Sequence, residues 1–434
     1  MRQFPTALLA LVGGIALTAA TAMAQDSGPL VDLLVKKGLI NDQEAEEIRS
    51  ELSKDFAANT SAGKLSLGSH LTEFKLGGDV RLRHQYQTTR DQETTSTKLA
   101  TTNRTRERFR FRLNGDFLMQ KGWSAGFALE TAPASDSGNQ TYENGGDDYG
   151  LSLARAYVGW QPRNDLKFVA GKQRNPLYTT ELSWDGDINP QGLSEIYTLA
   201  LGGKDTLEFR ALQSIMDDNN EATAGRNGND AWLFAQQAVF TKYFGTTKLV
   251  VAPGFSYTTT SNMSGLTNET PFNGDTIGLA LGTFAGELEF GNLGGQANSV
   301  KLYWDTSYNF EAGTRVHKVY GLSSAKWNKD PLAYLVGVGY NHGSGKLQGD
   351  WGVKLDYRRV GVGAVDPNLN DSDFAFGNLN QSGYKAAVSY NVADFCSLNL
   401  AYFLTSDLRE TLKQSAVAKL DKSSILQIDL VTKF

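Results

Sequence analysis

The chain is poor in cysteine, proline and histidine, with one, ten and four among 434 residues. A single thiol, Cys396, excludes an intramolecular disulfide framework. Four His and one Cys leave little for a His/Cys metal site, and no cofactor is expected. An excess of charge is missing too: the net charge is −5, or −6 without Arg2, which weighs against a nucleic-acid partner. Long apolar runs are confined to the start, where Met1-Arg2-Gln3 leads into Phe4 to Ala20 and then Ala22-Met23-Ala24. A short basic start, an apolar core and a small-x-small site read as a secretory signal peptide over 1–24, cut after Ala24. That run is short for a membrane-crossing helix of about 20 residues, so a retained anchor is the weaker reading, and nothing later matches it, so a helical membrane protein is not expected.

What the chain has is glycine, aromatics and alternation. Forty-five Gly and 11% aromatic residues point to many strands and turns. From Pro29 to Phe56 the spacing is helical instead: Leu30, Leu33 and Leu34 share a face until Gly38. Asn41 with Glu44 caps a second helix bearing Ala45, Ile48 and Leu52. This gives a periplasmic helical segment and linker over 25–64, followed by a β-barrel over 65–434. From Glu73 onward the period is two. Phe109, Phe111, Leu113 and Phe117 face one way, while Arg106, Arg108, Arg110, Arg112, Asn114 and Asp116 face the other. Burying four guanidiniums in a dry core would cost more than the apolar face returns. A wall with hydrocarbon on one side and a water-filled lumen on the other satisfies both faces. In the last strand Leu426, Ile428, Leu430, Thr432 and Phe434 share one face, while Ile425, Gln427, Asp429, Val431 and Lys433 share the other.

Alternating segments predict strands at 73–87, 105–119, 122–133, 151–161, 165–174, 194–202, 204–214 and 230–242. Eight more fall at 246–258, 279–290, 299–310, 332–342, 350–360, 380–391, 396–405 and 424–434. Short connections at 120–122, 162–164, 202–203, 243–245 and 392–394 alternate with long polar ones at 88–104, 134–150, 175–193, 215–229, 259–275, 311–331, 361–379 and 406–423. Short turns on one side and long loops on the other are the pattern of a transmembrane antiparallel barrel of about 16 strands. The mean hydropathy of −0.35 fits, because only alternate residues meet lipid. Aromatics such as Trp123, Trp160, Tyr340 and Tyr390 fall near strand ends, as interface girdles require.

Several stretches carry a family resemblance: Val31–Ile40 with Glu44–Glu47, Arg155–Trp160, Gly171–Pro176, Trp184–Pro190, Gly349–Trp351 through Tyr357–Arg359, and Asp371–Phe374. Together they resemble the bacterial "Putative porin" family over most of the mature chain. The resemblance implies a porin of the Gram-negative outer membrane, trimeric, with lipid, small hydrophilic solutes or anions, and the barrel-assembly machinery as partners. Phe434, bare of any polar tail, resembles the C-terminal assembly signal of such barrels. By analogy with sixteen-stranded porins, the third long loop is expected to fold inward and set the constriction.

Selection in a porin is made by charged rings and by whatever narrows the lumen. The pore-lining candidates are Arg81, Arg83, Arg106, Arg108, Arg110 and Arg112, with Asp79 and Asp116 as neutralising carboxylates. The constriction candidates are Glu181, Trp184, Asp185 and Asp187, whose acidic groups would oppose the arginine wall and set up a transverse field. Asp366, Asp371 and Asp373 offer oxygens to Ca²⁺, though such turns rarely bind it. An enzyme is not expected, since His70, His84, His317 and His342 form no recognisable set with a serine. The alternative to a channel is a secreted or outer-membrane adhesin without channel activity.

Overall fold

The computed structural model describes residues 34–37, 44–46, 48, 68–91, 101–131, 138–218, 230–259, 276–322, 329–408 and 420–434. The expected signal peptide, the linker at 57–64 and the middles of several long loops lie outside the described residues. Residues 34–36, 44–46 and 48 are helical. They belong to a unit that ends at Ser69, and the second unit runs from His70 to Phe434.

The second unit is one closed antiparallel sheet. Its strands are β1 (Leu71–Asp91), β2 (Thr101–Met119), β3 (Trp123–Thr131), β4 (Gln140–Thr141), β5 (Leu151–Arg163), β6 (Leu166–Lys172), β7 (Gln191–Gly202), β8 (Asp205–Asp217) and β9 (Ala231–Phe244). They continue as β10 (Thr247–Thr258), β11 (Ala280–Phe290), β12 (Ser299–Asn309), β13 (Leu332–His342), β14 (Trp351–Val360), β15 (Gln381–Ala393), β16 (Cys396–Asp407) and β17 (Leu420–Lys433). The two-residue β4 pairs with β2 beyond the end of β3, so β3 and β4 share one row. The wall therefore has sixteen rows. β17 pairs with β1, leaving no free edge, the condition for a sheet to stand in lipid. Strands such as β11 and β17, of 11 and 14 residues, at about 3.3 Å per residue and ~40° tilt rise roughly 28–35 Å, enough for a hydrocarbon core of about 30 Å.

The alternation resolves as expected. Val80, Leu82 and Tyr86 are exposed on the outside, whereas Asp79, Arg83 and Arg110 are buried inside. On β17, Ile425, Gln427 and Asp429 are buried, while Ile428 and Leu430 are exposed. The turns at 291–298 and 343–350 are longer than tight hairpins, and the strands flanking them still pair in unbroken register.

The seam is sealed at its end by the last residue. Gly78 N–H donates to the Phe434 carbonyl (2.9 Å), and Phe434 N–H donates back to the Gly78 carbonyl (3.1 Å). The Phe434 ring lies over Gly78, where a Cβ would fall 2.7 Å from Phe434 Cζ and would also strike the Arg112 carbonyl. Phe111 stacks beside that ring, with centroids 6.3 Å apart. Glycine is needed here for close approach.

Part of the lumen is filled with apolar side chains, which the sequence pattern does not announce. Val362, Val365, Phe374 and Leu379 of the 361–380 loop pack with Leu182, Leu335, Phe403 and Ile425. Val316 of a short helix, α1 (Ala312–Lys318), joins them. Two loops besides 173–190 thus fold inward, because each carries its own apolar anchor. Gly78→Val is expected to lower the folded fraction several-fold, more than Phe434→Ala does, read as the heat-resistant compact band on unheated gels after refolding. Refolding of Gly78→Val at the wild-type yield would contradict this account of the seam.

Candidate functional site

The inward faces of β1 and β2 place the predicted arginines in one strip. The register sets Asp79 opposite Arg112, Arg81 opposite Arg110 and Arg83 opposite Arg108. Arg110 Nη2 and Arg112 Nε donate to the two oxygens of Asp79, at 3.0 and 2.7 Å. Arg83 grips Asp429 of β17 with Nε and Nη2, at 2.7 and 2.8 Å, and Arg81 Nη1 reaches the same carboxylate at 3.9 Å. Arg81 also donates to Asn139. Arg106 and Arg108 differ. Arg106 donates to Gln87 at 2.7 Å, and Arg108 donates to Gln85 and the Asn139 carbonyl at 3.3 and 3.2 Å. Their hydrogen-bond acceptors are neutral, and the carboxylate that acts on both does so from a distance, from Asp373. Asp116, named with the strip, accepts instead from the Tyr157 hydroxyl.

The 173–190 loop is folded among the inward side chains, and its acidic residues do three different things. Asp187 approaches the strip, 3.6 Å from Arg110. Glu181 turns away from it, bonding Arg358 of β14 and Lys385 of β15 at 2.6 Å each. Asp185 holds a neighbouring loop, accepting from the Ser372 N–H and hydroxyl at 3.1 and 3.2 Å. Trp184 makes no contact with the arginine strip, though its edge lines the larger of two cavities. It is buried against Leu212, Leu233 and Ala235 of β8 and β9, and its indole N–H donates to the Ile188 carbonyl at 3.0 Å. Of the three acidic groups expected to oppose the arginines, Asp187 comes within 3.6 Å of one, Asp185 lines the same cavity, and Glu181 is taken up by Arg358 and Lys385. The reason is that the opposite wall supplies its own cations and the loop needs an apolar anchor.

Arg358 is a residue that alternation alone does not single out. It is fully buried, donating to Glu181, Asp371 and Asp356 at 2.6, 2.6 and 3.0 Å. Its guanidinium also lies over the Phe374 ring, 5.2 Å from the centroid. One side chain thereby ties the 173–190 and 361–380 loops to β14. From the second loop, Asp373 approaches Arg83 of the strip at 3.7 Å. Asp366 spends one oxygen on Asn368 of its own turn, at 3.0 and 2.9 Å, and no carboxylate-rich metal cluster occurs among the described residues.

Two cavities follow from this arrangement. One, of about 550 Å³, runs along the strip and is lined by Arg81, Arg83, Arg106 and Arg108, facing Asp185, Asp187 and Asp373. The other, of about 890 Å³, is lined by Arg112, Arg155, Arg174, Lys301 and Arg358. Both share Glu181, Lys354 and Lys385, so they meet at the Glu181 ion pairs. Arginine against carboxylate across a low-dielectric passage orders water and attracts polar, charged solutes.

Comparison with known proteins bears on the family and the fold. The "Putative porin" family model matches residues 17–325 and 295–434. No curated protein matches the chain. Among solved structures, the high-pH structure of Pseudomonas putida OprB is similar at 10% identity, over 83% of this chain and 94% of that one, with a TM-score of 0.50. An anion-selective porin from Comamonas acidovorans is similar at 12% identity, over 83% and 99%, with a TM-score of 0.44. Salmonella typhi OmpF in complex with daunomycin is similar at 10% identity, over 83% and 97%, with a TM-score of 0.47. Likenesses at such identities bear on fold alone, and it is the family model, spanning nearly every residue of the closed barrel, by which the chain belongs to the Putative porin family.

Proposed function

We propose that this barrel is a water-filled channel for passive diffusion of small hydrophilic solutes across the outer membrane, with a preference for anions. The family and the fold support the channel itself. The observation that carries the preference is the bonding of Arg106 and Arg108 to neutral acceptors only, while Arg81, Arg83, Arg110 and Arg112 share Asp79 and Asp429. Two guanidiniums left over in a passage raise the local concentration of anions and hold carboxylate or phosphate in a fork. Asp187 and Asp373, close to the same strip, leave a field across the passage that favours dipolar solutes over plain cations. The inward loops narrow the route. Export through a signal peptide cut after Ala24, recognition of Phe434 by the assembly machinery, and assembly as a homotrimer belong to the same reading and rest on the family.

Replacing Arg106 and Arg108 together by Glu should move the reversal potential in asymmetric KCl toward cation selectivity, recorded on single channels in planar bilayers. An unchanged potential would discard the strip as the selecting element. Arg358→Gln leaves Glu181 and Asp371 without their shared partner. Breaking a buried ion pair costs about 3–5 kcal/mol, ample to release a loop. The expected outcome is larger, noisier single-channel conductance, while wild-type conductance and noise would show that Arg358 does not fix the constriction.

A further inference from the structure

We propose that Arg155 and Arg174, with Arg112 and Asn114, form an oxyanion-binding site on the wall of the larger cavity, taking a carboxylate or phosphate group of a passing solute. This rests on the channel reading and adds a second stopping point, in the larger cavity, to the one that the strip on β1 and β2 offers.

The register builds the site. Asn114 of β2 pairs with Ala128 of β3, and Ala128 pairs with Arg155 of β5. Arg155 Nη2 crosses that strand to donate to Asn114 Oδ1 at 2.5 Å. Arg112 lies two residues from Asn114, on the same inward face. Arg174 sits just past the end of β6, where the chain leaves the wall for the inward loop. All four line the cavity of about 890 Å³, together with Asn175 and Asn189.

The charges there are unevenly answered. Arg112 is engaged by Asp79 at 2.7 Å. Neither Arg155 nor Arg174 forms an ion pair among the described residues, and the Arg155 Nε is buried with no hydrogen-bond partner. Arg155 lies within the fields of both Arg174 and Arg112. Of the nearby carboxylates, Glu130 stands opposite Arg112 in the register, and Asp116, which accepts from the Tyr157 hydroxyl, acts on Arg155 from a distance; neither forms an ion pair with Arg155 among the described residues. Like charges gathered beside a cavity repel one another unless an anion joins them. Planar guanidiniums bind oxyanions through paired N–H donors, and the amides of Asn175 and Asn189 add neutral donors without neutralising the site. A group with two or more oxygens fits this set better than chloride does.

The test uses the full refolded chain in planar bilayers, with KCl on both sides and phosphate or succinate added to one side. Wild-type channels should lose chloride current saturably at millimolar phosphate and succinate. In Arg155→Gln/Arg174→Gln the half-saturating concentration should rise at least about tenfold. Heat-modifiable migration verifies folding. Should the double variant fail to fold, Arg174→Gln alone, an exposed position, should give an intermediate shift. Unchanged saturation in these variants overturns the proposal. Stepwise current with no saturable inhibition in the wild type overturns it while sparing the channel, and absence of any current overturns the channel reading itself.

Discussion

Hydrocarbon cannot hydrogen-bond a peptide group, and that single fact governs this molecule. Every strand must find both neighbours, so the sheet closes, β17 onto β1. Once closed, its two faces see different solvents and a period of two sorts the side chains. Phe109 and Phe111 go to lipid, while Arg108 and Arg110 go inward. The final pairing is the weak point of any such ring, since the first and last strands meet only after everything between them has formed. Here the Gly78–Phe434 contact secures it: two backbone hydrogen bonds, plus a ring seated where a side chain would otherwise stand.

Inside, the same sorting creates a problem of opposite sign. A lumen full of arginine is stable only if its charges are answered by carboxylates, water or solute. Several carboxylates are each shared among guanidiniums or converge on one. Asp79 and Asp429 each serve more than one guanidinium of the strip, and Glu181, Asp356 and Asp371 converge on Arg358. What is left unanswered, at Arg106 and Arg108 and again at Arg155 and Arg174, is what gives the passage its character. The inward loops matter because they carry the countercharges: Asp187 and Asp373 reach the strip only because Trp184, Leu182 and Phe374 are buried in apolar clusters that hold the loops down.

The wall was legible from sequence because it rests on a strictly local rule. Sixteen alternating segments were marked by residue type, and the observed strands coincide with them to within a few residues, even around the long turns at 291–298 and 343–350. The row of arginines at 106–112 declared its facing for the same reason: no other environment accepts four guanidiniums beside four apolar residues. The interior arrangement was not legible. Glu181 binds Arg358, 177 residues away, and no periodicity links them. Trp184 reads as a constriction residue by its place in a polar loop, yet it packs on the inner faces of β8 and β9 because a loop inside a barrel must also be anchored. The small β4 escaped notice because two residues carry no alternation. Arg358 itself lay within one of the stretches that suggested the family, so a signal was present, though nothing in its neighbours said that it would tie two loops together.

The account stands or falls on whether a closed wall with a wet, charged interior conducts. Single-channel recording of the purified, refolded protein in a planar bilayer tests this most directly. It should give discrete current steps, with a reversal potential in asymmetric KCl on the anion-selective side. A folded, membrane-inserted protein giving no current steps would contradict it.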